Sequence, residues 1–150
     1  MLDIQKIDHV GIRIGERDRS VSFYQALGFS IVTEAGYKDG HPIVMRHPSG
    51  LVVNLLGPAN TMLGENILMD RSDKRPGITH FAVKVASIEA TNEMLDEADI
   101  AITDRRSFMG VDALFVRDPD RTVIEIIGPG PDVADLIAKH NAKDDLEAKN

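Results

Sequence analysis

The sequence predicts an α+β fold made of two tandem βαβββ modules. The first observation is an internal repeat, in which residues 46–58 match residues 117–129 and residues 7–14 match residues 78–85. Both matches have the same offset of 71 residues, with no gap between them. The second observation is that hydrophobic patterning gives the same order of strands and helix in each copy. Residues 7–58 and 78–129 are therefore interpreted as duplicated modules.

Each module begins with an alternating strand, which is followed by an amphipathic helix and three short strands. The opening strand of the first module places His9 and Arg13 on one face and apolar residues on the other. Gly28 is expected to end the first helix, and Ser87 is expected to cap the second. In the first module the predicted elements are a strand over 7–14, a helix over 18–27 and strands over 29–33, 43–45 and 51–56. In the second module they are a strand over 78–85, a helix over 87–97 and strands over 100–103, 113–116 and 122–127.

Three kinds of connecting segment complete this prediction. Residues 47–50 and 118–121 predict type I turns, because each carries proline at its second position. Residues 59–77 are long for a connection within a compact domain and are interpreted as an extended linker, with a lid or a partner-binding arm as alternatives. Residues 132–146 carry apolar residues at helical spacing and predict a C-terminal helix over a sheet edge or a dimer surface. We expect residues 1–150 to form a single domain.

Composition excludes several classes of function. The chain has 150 residues, 17 basic and 24 acidic side chains, a net charge of −7 and no cysteine. Without cysteine there is no disulfide, no thiolate metal site and no cysteine nucleophile. The acidic balance argues against nucleic acid or an anionic membrane as partner. No apolar run is long enough to span a membrane and the N-terminus has no apolar signal core, so the expected location is the cytoplasm.

The duplication places four polar side chains at equivalent positions. His9 corresponds to His80 on the first strands, and Asn54 corresponds to Glu125 on the last strands. If the two modules pack with pseudo-twofold symmetry, these four side chains converge. Glu125 stands in the middle of an apolar strand, and a buried carboxylate is costly unless it is paired or bound to a metal ion. This pattern predicts a polar centre for binding or catalysis.

Apolar residues are expected to form the walls of that centre. Val52 shares a strand face with Asn54, and Val123 shares one with Glu125. A few polar groups within apolar walls are typical of small-molecule sites. Arg13 and Lys84, four residues after the two histidines, lie at the expected rim. They are either solvated strand ends or ligands for an anionic group of a substrate.

These residues resemble the vicinal oxygen chelate superfamily, which includes glyoxalase I, methylmalonyl-CoA epimerase, extradiol dioxygenases, fosfomycin-resistance transferases and bleomycin-resistance proteins. The resemblance covers residues 7–131 and lies in the motifs at residues 7–12, 22–29, 118–120 and 123–125. It implies a curved eight-stranded mixed sheet, a glyoxalase-like cup, around one divalent metal ion. It also implies a homodimer and a small-molecule substrate.

Carried over residue by residue, the resemblance makes His9, His80 and Glu125 the metal ligands, with Glu125 also catalytic. Glyoxalase I and the epimerase have a glutamate or glutamine on the fourth strand, where this chain has Asn54. Asn54 is therefore either a fourth ligand or a residue that reaches the metal through water. Nitrogen and oxygen ligands without sulfur suit Fe, Mn, Ni, Co or Zn.

The resemblance leaves several reactions open. Arg13 matches an arginine that glyoxalase I uses on its substrate, whereas Phe115 stands where extradiol dioxygenases carry a tyrosine and is expected to contact substrate. The leading prediction is a divalent-metal-dependent enzyme acting on a substrate that chelates through vicinal oxygens, glyoxalase I (lactoylglutathione lyase)-like or extradiol dioxygenase-like. The alternatives are a metal-free protein that sequesters a small molecule, as in antibiotic resistance, and a fosfomycin-type thiol transferase.

Overall fold

The structure, a computed structural model, describes residues 1–61 and 64–147, with side chains in the last helix described as far as residue 142. It contains two compact units. The first unit comprises Met1–Thr79 together with Arg117–Val123, and the second comprises His80–Val116 together with Ile124–Asn150. The turn at residues 118–121 belongs by sequence to the second repeat but lies in the first unit. No helix in the described residues is long and apolar enough to cross a membrane.

The first unit contains a four-stranded sheet in the order β1-β4-β3-β2. Strand β1 runs parallel to β4, whereas β3 is antiparallel to both β2 and β4. A 3-10 helix between β2 and β3 was not expected from the sequence. The elements are β1 (Val10–Arg13), α1 (Arg17–Ala26), β2 (Ser30–Thr33), the 3-10 helix (Tyr37–Asp39), β3 (Ile43–Arg46) and β4 (Val52–Leu56).

The second unit repeats this architecture, with its strands in the order β5-β8-β7-β6. A third helix follows the last strand and begins within one residue of the predicted position. The elements are β5 (His80–Lys84), α2 (Ile88–Glu97), β6 (Ile102–Phe108), β7 (Val111–Arg117), β8 (Val123–Ile127) and α3 (Val133–Glu147). In the part of the chain that the structure describes, two four-stranded mixed sheets and three α-helices confirm the predicted α+β class and the two βαβββ modules. The eight strands of that part form two sheets of four.

Hydrogen bonds at equivalent positions show that the two modules are built alike. The N–H of Ile14 donates to Leu56 O at 2.7 Å, and the N–H of Val85 donates to Ile127 O at 2.8 Å, 71 residues further along the chain. Both predicted type I turns are confirmed. In them the N–H of residue 50 donates to residue 47 and that of residue 121 donates to residue 118, each at 2.9 Å.

The ends of the helices also follow the repeat. Gly28 follows α1 with φ of 92°, and its repeat mate Asp99 follows α2 with φ of 53°. Glycine adopts this left-handed conformation without steric cost, and aspartate is one of the few other residues that tolerate it. Ser87 caps α2 as predicted, since its Oγ accepts a hydrogen bond from the N–H of Ala90. Local sequence therefore sets both helix boundaries.

Alternation along the strands forms a core in each unit. In the first unit Ile12, Ile14, Val53 and Leu55 are buried, while the residues between them are more exposed. In the second unit Leu95 of α2 and the strand residues Leu114, Val116, Ile124 and Ile126 are buried. The odd-numbered residues of β8, including Glu125, consequently lie on the opposite face of the sheet from Ile124 and Ile126.

Strands β6 and β7 are longer than predicted. Strand β6 extends to Phe108 instead of residue 103, and β7 begins at Val111 instead of residue 113. Met109 and Gly110 join them, and both have positive φ, of 50° and 82°, as in a type I′ hairpin turn. Nearly all of β6 is exposed. A strand without a buried face lacks the alternating pattern from which it could be predicted.

Residues 59–77 connect the modules without forming a helix or strand in the part that the structure describes, which omits residues 62 and 63. Asn66 Oδ1 accepts hydrogen bonds from the N–H groups of Leu68 and Met69, and its amide donates to Arg121 O at 3.0 Å. Asp70 receives hydrogen bonds from Arg117 at 2.6 and 3.1 Å. These contacts fasten the segment to the turn of the first unit.

Candidate functional site

The second unit brings two of the predicted site residues into contact. His80 opens β5 and Glu125 lies in the middle of β8, which is the neighbouring strand. His80 Nε2 and Glu125 Oε2 are 3.1 Å apart. The Glu125 side chain is 20% exposed and that of His80 is 38% exposed. The pair is thus shielded by protein but open on one side.

This spacing suits two ligands of one metal ion. Imidazole nitrogen and carboxylate oxygen each bind a divalent ion at about 2.0–2.2 Å, so two ligands at right angles lie roughly 3 Å apart. The 3.1 Å between His80 and Glu125 agrees with that value, although a hydrogen bond gives the same distance. The donor atoms of this pair therefore fit an ion.

His9 lies in the first unit immediately before β1. Its Nδ1 is 2.9 Å from Asp8 Oδ2, and both side chains are substantially exposed. The hydrogen bond with His9, with a smaller contribution from Lys6, lowers the pKa of the Asp8 carboxyl. The Asp8 carboxylate therefore accepts a hydrogen bond from the imidazole, the kind of contact by which carboxylates orient metal-binding histidines.

Asn54 on β4 has a buried oxygen with no hydrogen-bond partner among the described residues. The neighbouring residues in the sheet explain this, because Asn54 stands between Gly11 on β1 and Val44 on β3, which have no polar side-chain atoms. A buried carbonyl oxygen without a partner is costly. This oxygen is the second feature that suits a metal ion or its bound water.

His9 and Asn54 belong to the first unit, and His80 and Glu125 belong to the second. Among the side chains that the structure describes, those of residues 1–61 and 64–142, no three His, Asp or Glu residues are grouped so that they could hold a metal ion. The complete ligand set therefore stays a prediction.

The predicted wall residues are buried to different extents. Val123 is 3% exposed and Phe115 is 8% exposed, whereas Val52 is half-buried. The guanidinium of Arg106 lies over the Phe115 ring, 5.1 Å from its centroid. This stacking is a cation–π contact and ties Phe115 to the edge strand β6.

The two predicted rim cations have different surroundings. Arg13 is exposed and lines a cleft of about 600 Å³ in the first unit, together with Arg19 and Arg121. Lys84 instead donates to Gly130 O at 2.6 Å and to Asp132 Oδ1 at 2.8 Å, just before α3. The Lys84 ammonium therefore holds the start of α3, which is a structural role that the sequence did not reveal.

A cavity of about 540 Å³ lies between α3 and the sheet face that carries Glu125. Its walls are mostly apolar, and its polar lining residues are Arg106, Ser107 and Glu125. This volume is in the range of small-molecule sites. The apolar lining consists of Phe108, Val111, Ala113, Ile127, Val133, Leu136 and Ile137.

Sequence reasoning missed Arg106, Phe108 and the role of α3 in this cavity. The predicted strand ended at residue 103, so the two β6 residues were outside any predicted element. Gly110 was the available signal, since a glycine seven residues beyond a predicted strand can mark a hairpin turn. The apolar spacing of α3 predicted the helix correctly but not the surface against which it packs.

A buried acidic cluster holds the turn of the first unit. Tyr24 Oη donates to Asp118 Oδ2 at 3.1 Å, and Asp120 Oδ2 accepts from the Gly15 N–H at 2.9 Å and from Ser20 Oγ at 3.1 Å. Burial raises the pKa of the Asp118 carboxyl, and burial beside that carboxyl raises the pKa of the Tyr24 hydroxyl. Three of these hydrogen bonds join Gly15, Ser20 and Tyr24 to the turn, which is the structural role of the cluster, while Asp120 Oδ1 accepts no hydrogen bond from the described residues.

Comparisons with known proteins agree with this architecture. The chain is similar to a glyoxalase/dioxygenase from Nostoc punctiforme, at 18% identity, with 86% of this chain and 94% of that chain covered and a TM-score of 0.69. It is similar to a lactoylglutathione lyase from Agrobacterium tumefaciens, at 14% identity, with 85% and 95% covered and a TM-score of 0.62. It is also similar to the fosfomycin resistance protein FosX from Listeria monocytogenes, at 12% identity, with 85% and 95% covered and a TM-score of 0.63.

At these identities the likeness shows a shared fold. No curated protein is significantly similar to this chain in sequence. Residues 6–126 match the model of the Glyoxalase/Bleomycin resistance protein/Dioxygenase superfamily. Because this match spans most of the chain and both modules, the chain belongs to that superfamily.

Proposed function

We propose that this protein is a divalent-metal-dependent enzyme whose small substrate chelates the metal through two adjacent oxygens. The observation that carries the proposal is the His80–Glu125 pair, 3.1 Å apart on a half-buried sheet face. Glu125 also lines the 540 Å³ cavity, so the carboxylate of the donor pair faces a space that can hold a substrate.

His9, His80 and Glu125 would hold the ion, and Asn54 would reach it directly or through water. Support comes from the donor types, from the spacing of the second-unit pair and from the unpartnered Asn54 oxygen. Two imidazoles and one carboxylate suit Fe, Mn, Ni, Co or Zn. When bound, the ion would act as a Lewis acid toward the substrate oxygens.

The chain's own residues limit the reaction class. The amide of Asn54 is not a base, so proton transfer in a glyoxalase I-like isomerisation would fall to the Glu125 carboxylate. An extradiol dioxygenase-like reaction would proceed without a phenol at position 115, where this chain has phenylalanine. The proposal therefore includes both a glyoxalase I-like and an extradiol dioxygenase-like reaction, with a homodimer as the expected assembly.

Metal analysis after dialysis tests the proposal. Wild-type protein dialysed against Mn²⁺, Fe²⁺, Ni²⁺, Co²⁺ or Zn²⁺ should retain about one ion per chain, and His80→Ala and Glu125→Ala should retain far less. His41→Ala is the matched control, since His41 is an exposed histidine of the first unit that is not among the proposed ligands. Full retention of metal by His80→Ala would refute the proposed ligand set.

The second candidate is a metal-free protein that sequesters a small molecule. The mostly apolar cavity beside Glu125 favours it, because such a cavity can bind a ligand without chemistry. Its distinguishing result is a wild-type protein that retains no metal and whose ligand affinity is unchanged by a chelator.

A further inference from the structure

The cavity beneath α3 has a floor of three strands and a roof of one helix. Strands β6, β7 and β8 supply the floor, and the first two turns of α3 supply the roof. The roof is fixed near its beginning by Lys84, which bonds Asp132 and Gly130 O, and further along by an edge-to-face contact of His140 with Phe108 at 5.6 Å. The helix is thus attached at two points with the cavity between them.

Three large apolar side chains of this cavity are unusually exposed. Phe108 and Val133 are each 41% exposed, and Ile137 is 46% exposed. All three line the same cavity. Clustered apolar surface is favourable to cover, and a grouping of this kind marks an interaction site more often than scattered residues do. The cavity therefore suits a ligand with an apolar body.

Arg106 gives this cavity a positive group. Its Nε donates to Asp104 Oδ2 at 3.0 Å, and its guanidinium is stacked on the Phe115 ring. A guanidinium has five N–H donors in a planar fork, so the terminal amino groups retain donors for a carboxylate, sulfonate or phosphate. In a chain of net charge −7, an arginine in the lining of an apolar cavity favours an anionic ligand over a neutral one.

The sheet order sets the length of such a ligand. Arg106 is on β6 and Glu125 is on β8, with β7 between them. Neighbouring strands are about 4.8 Å apart, so the two residues are separated by roughly 10 Å across the sheet. A body of two fused or linked rings, or a chain of six to eight carbons, has this length.

We infer that the cavity takes an organic anion with an apolar body about 10 Å long, whose anionic group pairs with Arg106 while its opposite end meets Glu125. The inference rests on the proposed function in one respect only, which is that the two adjacent oxygens that would chelate the metal are placed at the end of the ligand near Glu125. Arg106 is then a specificity-determining residue, and α3 is the wall that selects apolar ligands.

Two fluorescent probes with one aromatic body test this assignment. 8-Anilinonaphthalene-1-sulfonate carries a negative charge, and N-phenyl-1-naphthylamine has the same rings without it. Both are titrated in the presence of EDTA, so that the outcome is independent of metal binding. The variants are Arg106→Gln, Ala113→Leu, which fills the floor, and Ile137→Ser, which makes the exposed roof polar. The matched control is Arg105→Gln, because Arg105 is the adjacent residue of β6 and bonds Asn92 instead.

Arg106→Gln should weaken the binding of the sulfonate probe about fivefold, as expected for a largely solvent-exposed ion pair, and should leave the binding of the neutral probe unchanged. Ala113→Leu should weaken the binding of both probes severalfold. Ile137→Ser should have the same effect, and it provides the test if Ala113→Leu does not fold. Arg105→Gln should change neither. The inference would be overturned if Arg106→Gln and Arg105→Gln lost the same amount of affinity for the sulfonate probe, or if Ile137→Ser bound both probes as tightly as the wild type. Failure of metal retention with this probe pattern intact would refute only the proposed function.

Discussion

Replacing Asn54 with valine should stabilise the metal-free protein. The Asn54 oxygen is buried and has no hydrogen-bond partner among the described residues, because its sheet neighbours are Gly11 and Val44. A buried acceptor left unpaired costs about 1–3 kcal/mol, and valine removes it while favouring the strand conformation. Gly11 leaves room beside the new methyl groups. We expect a gain of about 1–2 kcal/mol, which raises the melting temperature by roughly 3–6 °C in a domain of this size.

The assay is thermal unfolding in EDTA and again with excess Mn²⁺. Asn54→Asp is the matched control, because it has the same shape but places a carboxylate at the buried position. It should lower the metal-free melting temperature by a similar amount and recover stability when metal is added. The wild type should gain more from metal than Asn54→Val does. A metal-free Asn54→Val protein that melts below the wild type would refute the reasoning.

Three further predictions concern stability. Gly50→Ala should lower the free energy of unfolding by about 1–2 kcal/mol because residue 50 has a φ of 93°, and this backbone conformation is the only cause, since a Cβ there meets nothing within 4 Å. At the repeat position, where φ is 72°, Arg121→Gly should leave the free energy of unfolding in urea unchanged or raise it. Hydrogen bonds from the Asn66 N–H and then from Arg117 lower the pKa of Asp70, so the stability that Asp70 contributes is complete above about pH 4 and is lost as the pH falls through its folded pKa. Asp70→Asn should therefore flatten the acid side of a plot of melting temperature against pH, and an unchanged acid side would contradict this. Lys84→Met should increase amide hydrogen exchange in α3 with little change in global stability, and unchanged exchange would exclude its role as an anchor.

The fold could be predicted because the duplication reports each element twice. Gly28 and Ser87 marked helix boundaries through backbone chemistry that is local in sequence, and the structure places both as expected. Pro48 and its repeat mate marked turns for the same reason. The exception is the β6–β7 hairpin, where the exposed edge strand has no buried face to produce a pattern. The strands that could be predicted are therefore those with a buried face, since only in such a strand must apolar and polar residues alternate.

The candidate site could be predicted in part, and the missing part has a physical reason. Alternation identified Glu125 as a carboxylate on an apolar strand, and the repeat directed attention to His80, with which it is in contact. Strand position leaves Lys84 as either a solvated strand end or a substrate ligand, because it does not reveal a partner 48 residues away. Arg106 was missed because its importance comes from α3, which covers the neighbouring sheet face and turns exposed strand residues into a cavity lining. In the proposed function the duplicated residues would hold the metal, whereas specificity in this chain should lie in α3, which is outside the repeat, and in the part of β6 beyond the predicted strand.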